Sequence, residues 1–225
     1  MAPHRHLLKL TDQPLRIGVA LFPGFQALDV FGPLDCLNTL SKLRPLTLTL
    51  LSSTLDPIST YHPEISNAIS QSVVPTSTYK TAPPIDLLLV PGGQGARGSD
   101  AAVLEVIEFI KTVYPSLKYL VTVCTGSGLA ARAGVLDGKR ATTNKRAWKE
   151  TVAVRDAVIW VPVARWVVDD KVWSSAGVSA GIDVILAWIA EYFGEKLANE
   201  VSERIEYTRQ LDSTVDAFAE LYGLV

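Results

Sequence analysis

Residues 118–138 read KYLVTVCTGSGLAARAGVLDG: an apolar run, Tyr119 to Val123, stops at Cys124, turns through Thr125, Gly126, Ser127 and Gly128, and enters an alanine-rich helical pattern. Strand, tight turn and helix in that order are the unit from which parallel α/β sheets are built. Strand-length apolar runs recur at Arg16–Phe22, Leu46–Leu51 and Ile85–Val90, and helix-period segments follow the first and third of these as well. The alternation predicts an α/β fold with a mostly parallel central sheet covered on both faces.

The helix after LFPG has Leu28, Phe31, Leu34 and Leu37 on three-residue spacing as its expected inward face. The helix after GSD has Leu104, Ile107 and Ile110, with Asp100 as its cap. Between Ser52 and Pro84 the chain is rich in Ser, Thr and Pro and reads as loops and short extended pieces. VARWVVDDKVWSS holds two β-rich runs around DDK, a hairpin pattern. A strong helix follows, apolar at Ile182, Ile185, Leu186, Ile189 and Phe193 and ended by Gly194, and a last helix is expected from Glu195 to about Leu211.

At 225 residues the chain fits one domain and can bury roughly 70% of its unfolded surface, so stability needs no metal or disulfide staple. A formal net charge of −2 offers no basic field for a phosphate backbone, which argues against a nucleic-acid partner. The start MAPHRHLLKLTDQPLR lacks the apolar core of a secretory signal and no stretch is long enough to span a membrane, so the expected location is cytoplasmic. His4 and His6 could pair on a metal, but residues 1–15 read more simply as a flexible basic arm ahead of a single domain over 16–225. Two cysteines, Cys36 and Cys124, make no disulfide framework; at least one is a working thiol or a buried apolar filler. No metal and no cofactor are expected.

In an open parallel sheet, ligands bind beyond the carboxyl ends of the strands, which singles out FPGFQALD, PGGQGARGSD and CTGSG. Gly93, Gly95 and Gly98 spell a literal G-x-G-x-x-G, and Gly126 to Ala131 fit the variant ending in Ala. A dinucleotide site also needs an acid near the end of the next strand; Cys124 stands there in one case, Asn144 and Lys145 in the other. A thiol accounts for more of the residues. Cys124 at a strand-to-helix turn projects above the sheet, small neighbours leave its approach open, and the helix N-terminus is expected to favour its thiolate. The competing reading is an inert buried cysteine. Beyond the N-terminal pair the one histidine is His62, in irregular sequence, so a Cys–His pair is not indicated. Asp29, flanked by Ala27, Leu28, Val30 and Phe31, is the candidate proton carrier, because apolar surroundings raise a carboxyl pKa; its alternatives are a cap or a buried salt bridge. Asp35 falls on another face of the same helix and is expected at the surface. Arg97 could meet an anionic substrate or simply be solvated.

Four motifs in order, FPGFQALDVFGPLD, LLLVPGGQGAR, VCTGSGLAARAGVLDGKRATTNK and WSSAGVSAGID, resemble the ThiJ/PfpI superfamily over nearly the whole chain from Arg16. The resemblance implies a flavodoxin-like three-layer α/β sandwich and a cysteine in a nucleophile elbow. By it Cys124 is the nucleophile, Asp29 the partner acid, and the N–H groups of Gly92, Gly93 and Thr125 the oxyanion donors, with the Thr125 hydroxyl available to the reacting group. Gly177 and Val178 would border the pocket. Aspartate in ALDVFGPLD and CTG after the strand look like the isonitrile hydratase branch, and equally like the amidase-like domain of AraC-type regulators. Those regulators carry a helix-turn-helix region after this domain, where this sequence shows one more helix, so the hydratase is the expectation. Many superfamily members have a histidine after the Thr-Thr pair, whereas this chain has Asn144. Glyoxalase- or deglycase-like handling of dicarbonyls and a non-catalytic redox sensor are the alternatives. The family also implies a small-molecule substrate and a homodimer, for which Trp148 or Trp166 could supply an interface; the sequence around both equally permits core packing.

Overall fold

The computed structural model describes residues 13–65 and 67–225. The arm pattern with His4 and His6 falls mostly on residues 1–12, outside the described residues, while Leu15, placed in the arm by the sequence, already belongs to the first strand. In chain order the elements are β1 (Leu15–Ala20), α1 (Ala27–Ser41), β2 (Leu46–Ser52), β3 (Ile58–Ser59), β4 (Ser72–Val73), β5 (Ser77–Thr78), β6 (Leu87–Val90), α2 (Ala101–Val113), β7 (Tyr119–Thr122) and α3 (Gly126–Arg132). They continue with β8 (Arg140–Ala141), α4 (Trp148–Val152), β9 (Ile159–Trp160), β10 (Trp166–Asp169), β11 (Val172–Ser175), α5 (Ala180–Phe193), α6 (Glu195–Arg204) and α7 (Ala217–Leu221).

Seven strands form the central sheet in the order β10-β11-β7-β6-β1-β2-β5, parallel throughout except for β10, which pairs antiparallel with β11. β6 and β7 are buried along their whole length because helices cover both faces, which is why LLLV and YLVT read as unbroken apolar runs. Each of the buried leucines 87, 88 and 89 adds roughly 2 kcal/mol of burial. Helices α1, α5 and α6 pack together in one layer, and α2 and α3 in the other. This is the flavodoxin-like α/β sandwich expected. β1 sits between β2 and β6, so chain order reverses there, the place in an open α/β sheet where ligands bind beyond the carboxyl ends, and the turn after β1 bonds to the turn after β6 through Gln26 N–H to Gly92 O at 2.8 Å. The turns after β1, β6 and β7 therefore meet at one place.

Asp100 caps α2 by accepting the Val103 N–H at 3.1 Å, and the DDK hairpin joins β10 to β11 through Asp170 in a left-handed conformation. Three expectations are corrected. On α1, Leu28 and Phe31 are 41% exposed while Leu34 and Leu37 are buried. Residues three apart drift by about 60° per step on a helix, so a four-member series crosses from one face to the other. The same drift leaves Leu104 exposed on α2, whose buried positions are Val103, Val106, Phe109 and Ile110. The last long helix stops at Arg204, short of Leu211, because Glu206 takes a left-handed backbone and the chain doubles back. There Arg209 binds Glu195 and Asn199, Gln210 N–H donates to Asp183 Oδ1, and the short α7 follows. Trp166 is buried and half-buried Trp148 packs edge-on to Trp160, as the core-packing alternative for these tryptophans had it. Among the described residues no helix is long and apolar enough to cross a membrane.

Candidate active site

Cys124 is the middle of the three residues that link β7 to α3, and its backbone is left-handed, φ 58°. A non-glycine residue holds that conformation only when its surroundings over-determine it, and strain of this kind gathers at functional positions. Here the Cys124 N–H donates to Ala176 O at 3.0 Å, and its carbonyl accepts both the Thr143 hydroxyl at 2.9 Å and the Ser127 hydroxyl at 3.1 Å. Three hydrogen bonds thus pin the turn. Gly92 lies so close that a Cβ there would stand 2.5 Å from the Thr125 nitrogen, so only glycine lets the turn after β6 approach the elbow.

Asp29, on the first turn of α1, is fully buried beside the elbow. Its Oδ2 accepts the Gly92 N–H at 2.8 Å, and its Oδ1 is buried without a hydrogen-bond partner. Burial pushes the Asp29 carboxyl up to about 7, against the opposing pulls of the Gly92 N–H and the adjacent Cys124 thiol. Its acidity is thereby set near neutrality. Burial, with the Asp29 charge added, pushes the Cys124 thiol up to about 12, and the N–H groups of Thr125 and Val178 and the Asn144 amide pull it down by less. The thiolate expected from the helix start is not the resting form, because removing the sulfur from water costs more than these donors return.

The expected donors divide differently from the sequence reading. Gly92 N–H is taken up by Asp29, and Gly93 N–H by the Thr125 hydroxyl at 3.0 Å, so in this arrangement neither N–H nor that hydroxyl is free for a reacting group. The hydrogen-bond donor on the sulfur is the Asn144 side chain, whose Nδ2 lies 3.1 Å from Sγ, and the N–H groups of Thr125 and Val178 are close enough to favour its charged form. Val178 achieves this with φ 43°, an unfavourable conformation for a β-branched residue. Asn144 is fixed in turn by the Ala147 N–H, which donates to Oδ1 at 2.9 Å. Gly177 makes room for it, since a Cβ there would meet Asn144 Nδ2 at 2.6 Å.

Asn144 was visible in the sequence only as a departure after Thr-Thr; its place beside the elbow is the structure's addition. Thr143 and Ser127 were also missed: Ser127 lies in the turn itself and could have been found as a local hydroxyl, whereas Thr143 comes 19 residues later and left no local signal. Arg97 ion-pairs with Glu150 at 3.1 Å on the surface, and Asp35 is exposed. His62 packs against Gly24 in the turn after β1 and its Nδ1 accepts the Glu64 N–H, so it is committed away from the thiol. Next to Asn144, Lys145 is buried: Nζ donates to Thr142 Oγ1 at 2.6 Å, stands 3.7 Å from Asp216 and lies 5.2 Å from the Trp148 ring centre.

The family model described as the DJ-1/PfpI family matches residues 15–191, which includes every one of these site residues except Asp216. The chain belongs to the DJ-1/PfpI family. Among DJ-1/PfpI relatives, the isonitrile hydratase of Pseudomonas putida is 33% identical over 194 residues, covering 86% of this chain and 78% of its own. The HTH-type transcriptional regulator GbdR of Pseudomonas aeruginosa is 30% identical over 139 residues, 61% of this chain and 36% of the regulator. A crystal structure of a ThiJ/PfpI family protein from Pseudomonas syringae superposes with TM-score 0.75 at 27% identity, covering 93% of this chain and 81% of that one. An AraC family transcriptional regulator from Pseudomonas putida shares the fold, with TM-score 0.71 at 21% identity over 85% of this chain and all of the other.

Proposed function

We propose that this DJ-1/PfpI chain is a cysteine-dependent hydratase that adds water to an isonitrile to give an N-substituted formamide. The observation that carries the reading is the buried Asp29 beside Cys124, with one carboxyl oxygen unpartnered and a pKa near 7. Isonitrile hydration needs a nucleophile and a group that both takes and returns a proton, and it needs no histidine. The 33% identity to a named isonitrile hydratase over most of the chain supports it.

Cys124 Sγ attacks the terminal carbon of R–N≡C, forming the C–S bond while the thiol proton passes to the Asp29 carboxylate. Asp29, now a carboxylic acid, delivers that proton to the same carbon and leaves a thioimidate, R–N=CH–S–Cys124. Water adds to this carbon, a proton reaches nitrogen, and the C–S bond breaks to return the thiol and release R–NH–CHO. One water is added and nothing is oxidised or reduced. Charge building on sulfur is met by Asn144 Nδ2 and by the Thr125 and Val178 N–H groups, donors already oriented before reaction. A carboxyl group near pH 7 suits both proton transfers.

Purified protein mixed with aryl and alkyl isonitriles should accumulate formamides, and Cys124→Ala should lower the rate by roughly 10³-fold or more. Failure of the unaltered protein to turn over any of several isonitriles sinks the reading. A redox-sensor role is less well supported, because oxidation follows thiolate character and exposure, and this sulfur is buried and protonated.

A further inference from the structure

A chamber of about 190 Å³, open to solvent, lies against the site and is lined by Asn144, Lys145, Arg146, Gly177, Val178, Ser179, Phe218 and Tyr222. Asn144 and Val178 are two of the groups that contact the Cys124 sulfur, and Gly177 is the residue that admits Asn144 to it. Chamber and thiol therefore share walls. The outer wall comes from the far end of the chain: Phe218 and Tyr222 are 49% and 43% exposed and lie on and just after α7. That segment is anchored from below, where Asp216 caps α7 through the Phe218 N–H and meets the buried Lys145 at 3.7 Å, and Arg165 N–H donates to Ser213 O at 2.7 Å.

We infer that this chamber receives the substituent of the electrophile attacked by Cys124, and that Phe218 and Tyr222 make it selective for a compact aromatic group. Dry cavities of about 150 Å³ hold a benzene ring, so the volume suits one six-membered ring. Two half-exposed rings offer faces and edges for stacking, and Val178 adds an apolar contact. Among the described residues no carboxylate lines the chamber to attract a cationic group; of its two cations the Lys145 ammonium is held by Thr142 and Asp216, and Arg146 is exposed, so its charge is solvated. The inference rests on Cys124 as the attacking group but not on the identity of the electrophile.

The test uses alkylation. Iodoacetamide and N-benzyl iodoacetamide each react with the Cys124 thiol to form a C–S bond, releasing iodide and a proton, and the adduct on Cys124 is followed by peptide mass spectrometry. Relative to N-acetylcysteine, the unaltered protein should favour the benzyl reagent by about fivefold, the gain expected from partly burying and stacking one ring. Phe218→Ala with Tyr222→Ala should bring the ratio of the two rates down to that of the free thiol, whereas Leu221→Ala, exposed and off the chamber, should keep it. Tyr222→Phe, which retains the ring, should keep most of the preference. Taking a ratio cancels any change in the thiol itself. No benzyl preference in the unaltered protein, or an unchanged ratio in the double variant, overturns the aromatic-wall inference while leaving the hydratase reading intact. Asp29 can take the thiol proton as the C–S bond forms, so the protonated resting thiol is still expected to react; failure of both reagents at Cys124 with the fold preserved, at pH 8 where the Asp29 carboxyl is charged, overturns the thiol assignment on which both depend.

Discussion

At the scale of single residues, Asp29 carries the proposed mechanism and a stability cost together. Its carboxyl is protonated more readily folded than unfolded, about 7 against the ordinary carboxylate value near 4. As pH rises from 4, the unfolded chain releases this proton first, so the folded state loses stability until pH passes about 7 and the buried group is charged. Asp29→Asn removes the charge while its amide oxygen still accepts the Gly92 N–H. In urea titrations the variant should be the more stable at pH 8, and the gap should exceed that at pH 5 by about 2 kcal/mol. The same variant should lose the proposed hydratase activity at every pH, because an amide cannot carry the proton. A gap that does not change with pH would mean that Asp29 holds no such proton.

At the scale of elements, the site depends on a short turn between β11 and α5 as much as on the elbow between β7 and α3. Gly177→Ala places a methyl group where Asn144 Nδ2 stands, and Asn144, a side-chain amide, swings away more cheaply than the backbone moves. The sulfur then loses its Asn144 donor, so turnover or Cys124 alkylation should fall about tenfold for one charge-assisted hydrogen bond. Asn144→Ala should fall by a similar factor, and the double variant no further, since both changes remove one contact. Additive losses would show that Gly177 acts through something other than Asn144. These elements also mark what the sequence could reveal. Cys124 after a strand and Asp29 in an apolar helix start were readable because each is a local matter of residue type and position. The directions of the Gly92 and Gly93 N–H groups were not, since they follow from how the peptides after β6 face α1 and α3, a non-local fact. Val178 was placed at the pocket by the resemblance, but the direction of its N–H was not legible for a different reason: β-branched residues avoid positive φ, so local propensity argues against the conformation that turns this N–H toward sulfur. The strands were legible from apolar runs, whereas the buried faces of α1 and α2 and the end of α6 were set by packing and by the returning strap.

At the scale of the whole molecule, the end of the chain is joined to the site through one buried ion pair. The Lys145 side chain is 2% exposed and that of Asp216 is inaccessible, and the pair ties the segment bearing α7 to the loop that carries Asn144. Removing one member of a buried pair leaves the other charge uncompensated, which costs several times more than losing a surface contact. Asp216→Asn isolates this effect, because Asn still caps α7 through the Phe218 N–H. At pH 7 it should destabilise the fold by about 3 kcal/mol. Burial already pulls the Lys145 ammonium down to about 8 from its usual 10.5, with Asp216 resisting. Between those values the unfolded chain holds the proton that the fold has released, so stability rises with pH there. Without the Asp216 charge the folded amine gives up its proton at still lower pH, so the penalty of Asp216→Asn should shrink between pH 7 and pH 9.5. Lys145→Met combined with Asp216→Asn should recover most of the loss and show no such rise, since an apolar side chain of similar length fills the space without a charge. Urea midpoints at the two pH values measure all three proteins. An Asp216→Asn deficit equal at both values would place the anchoring of the C-terminal segment elsewhere, in the Arg165 to Ser213 backbone bond or the packing of Ala219.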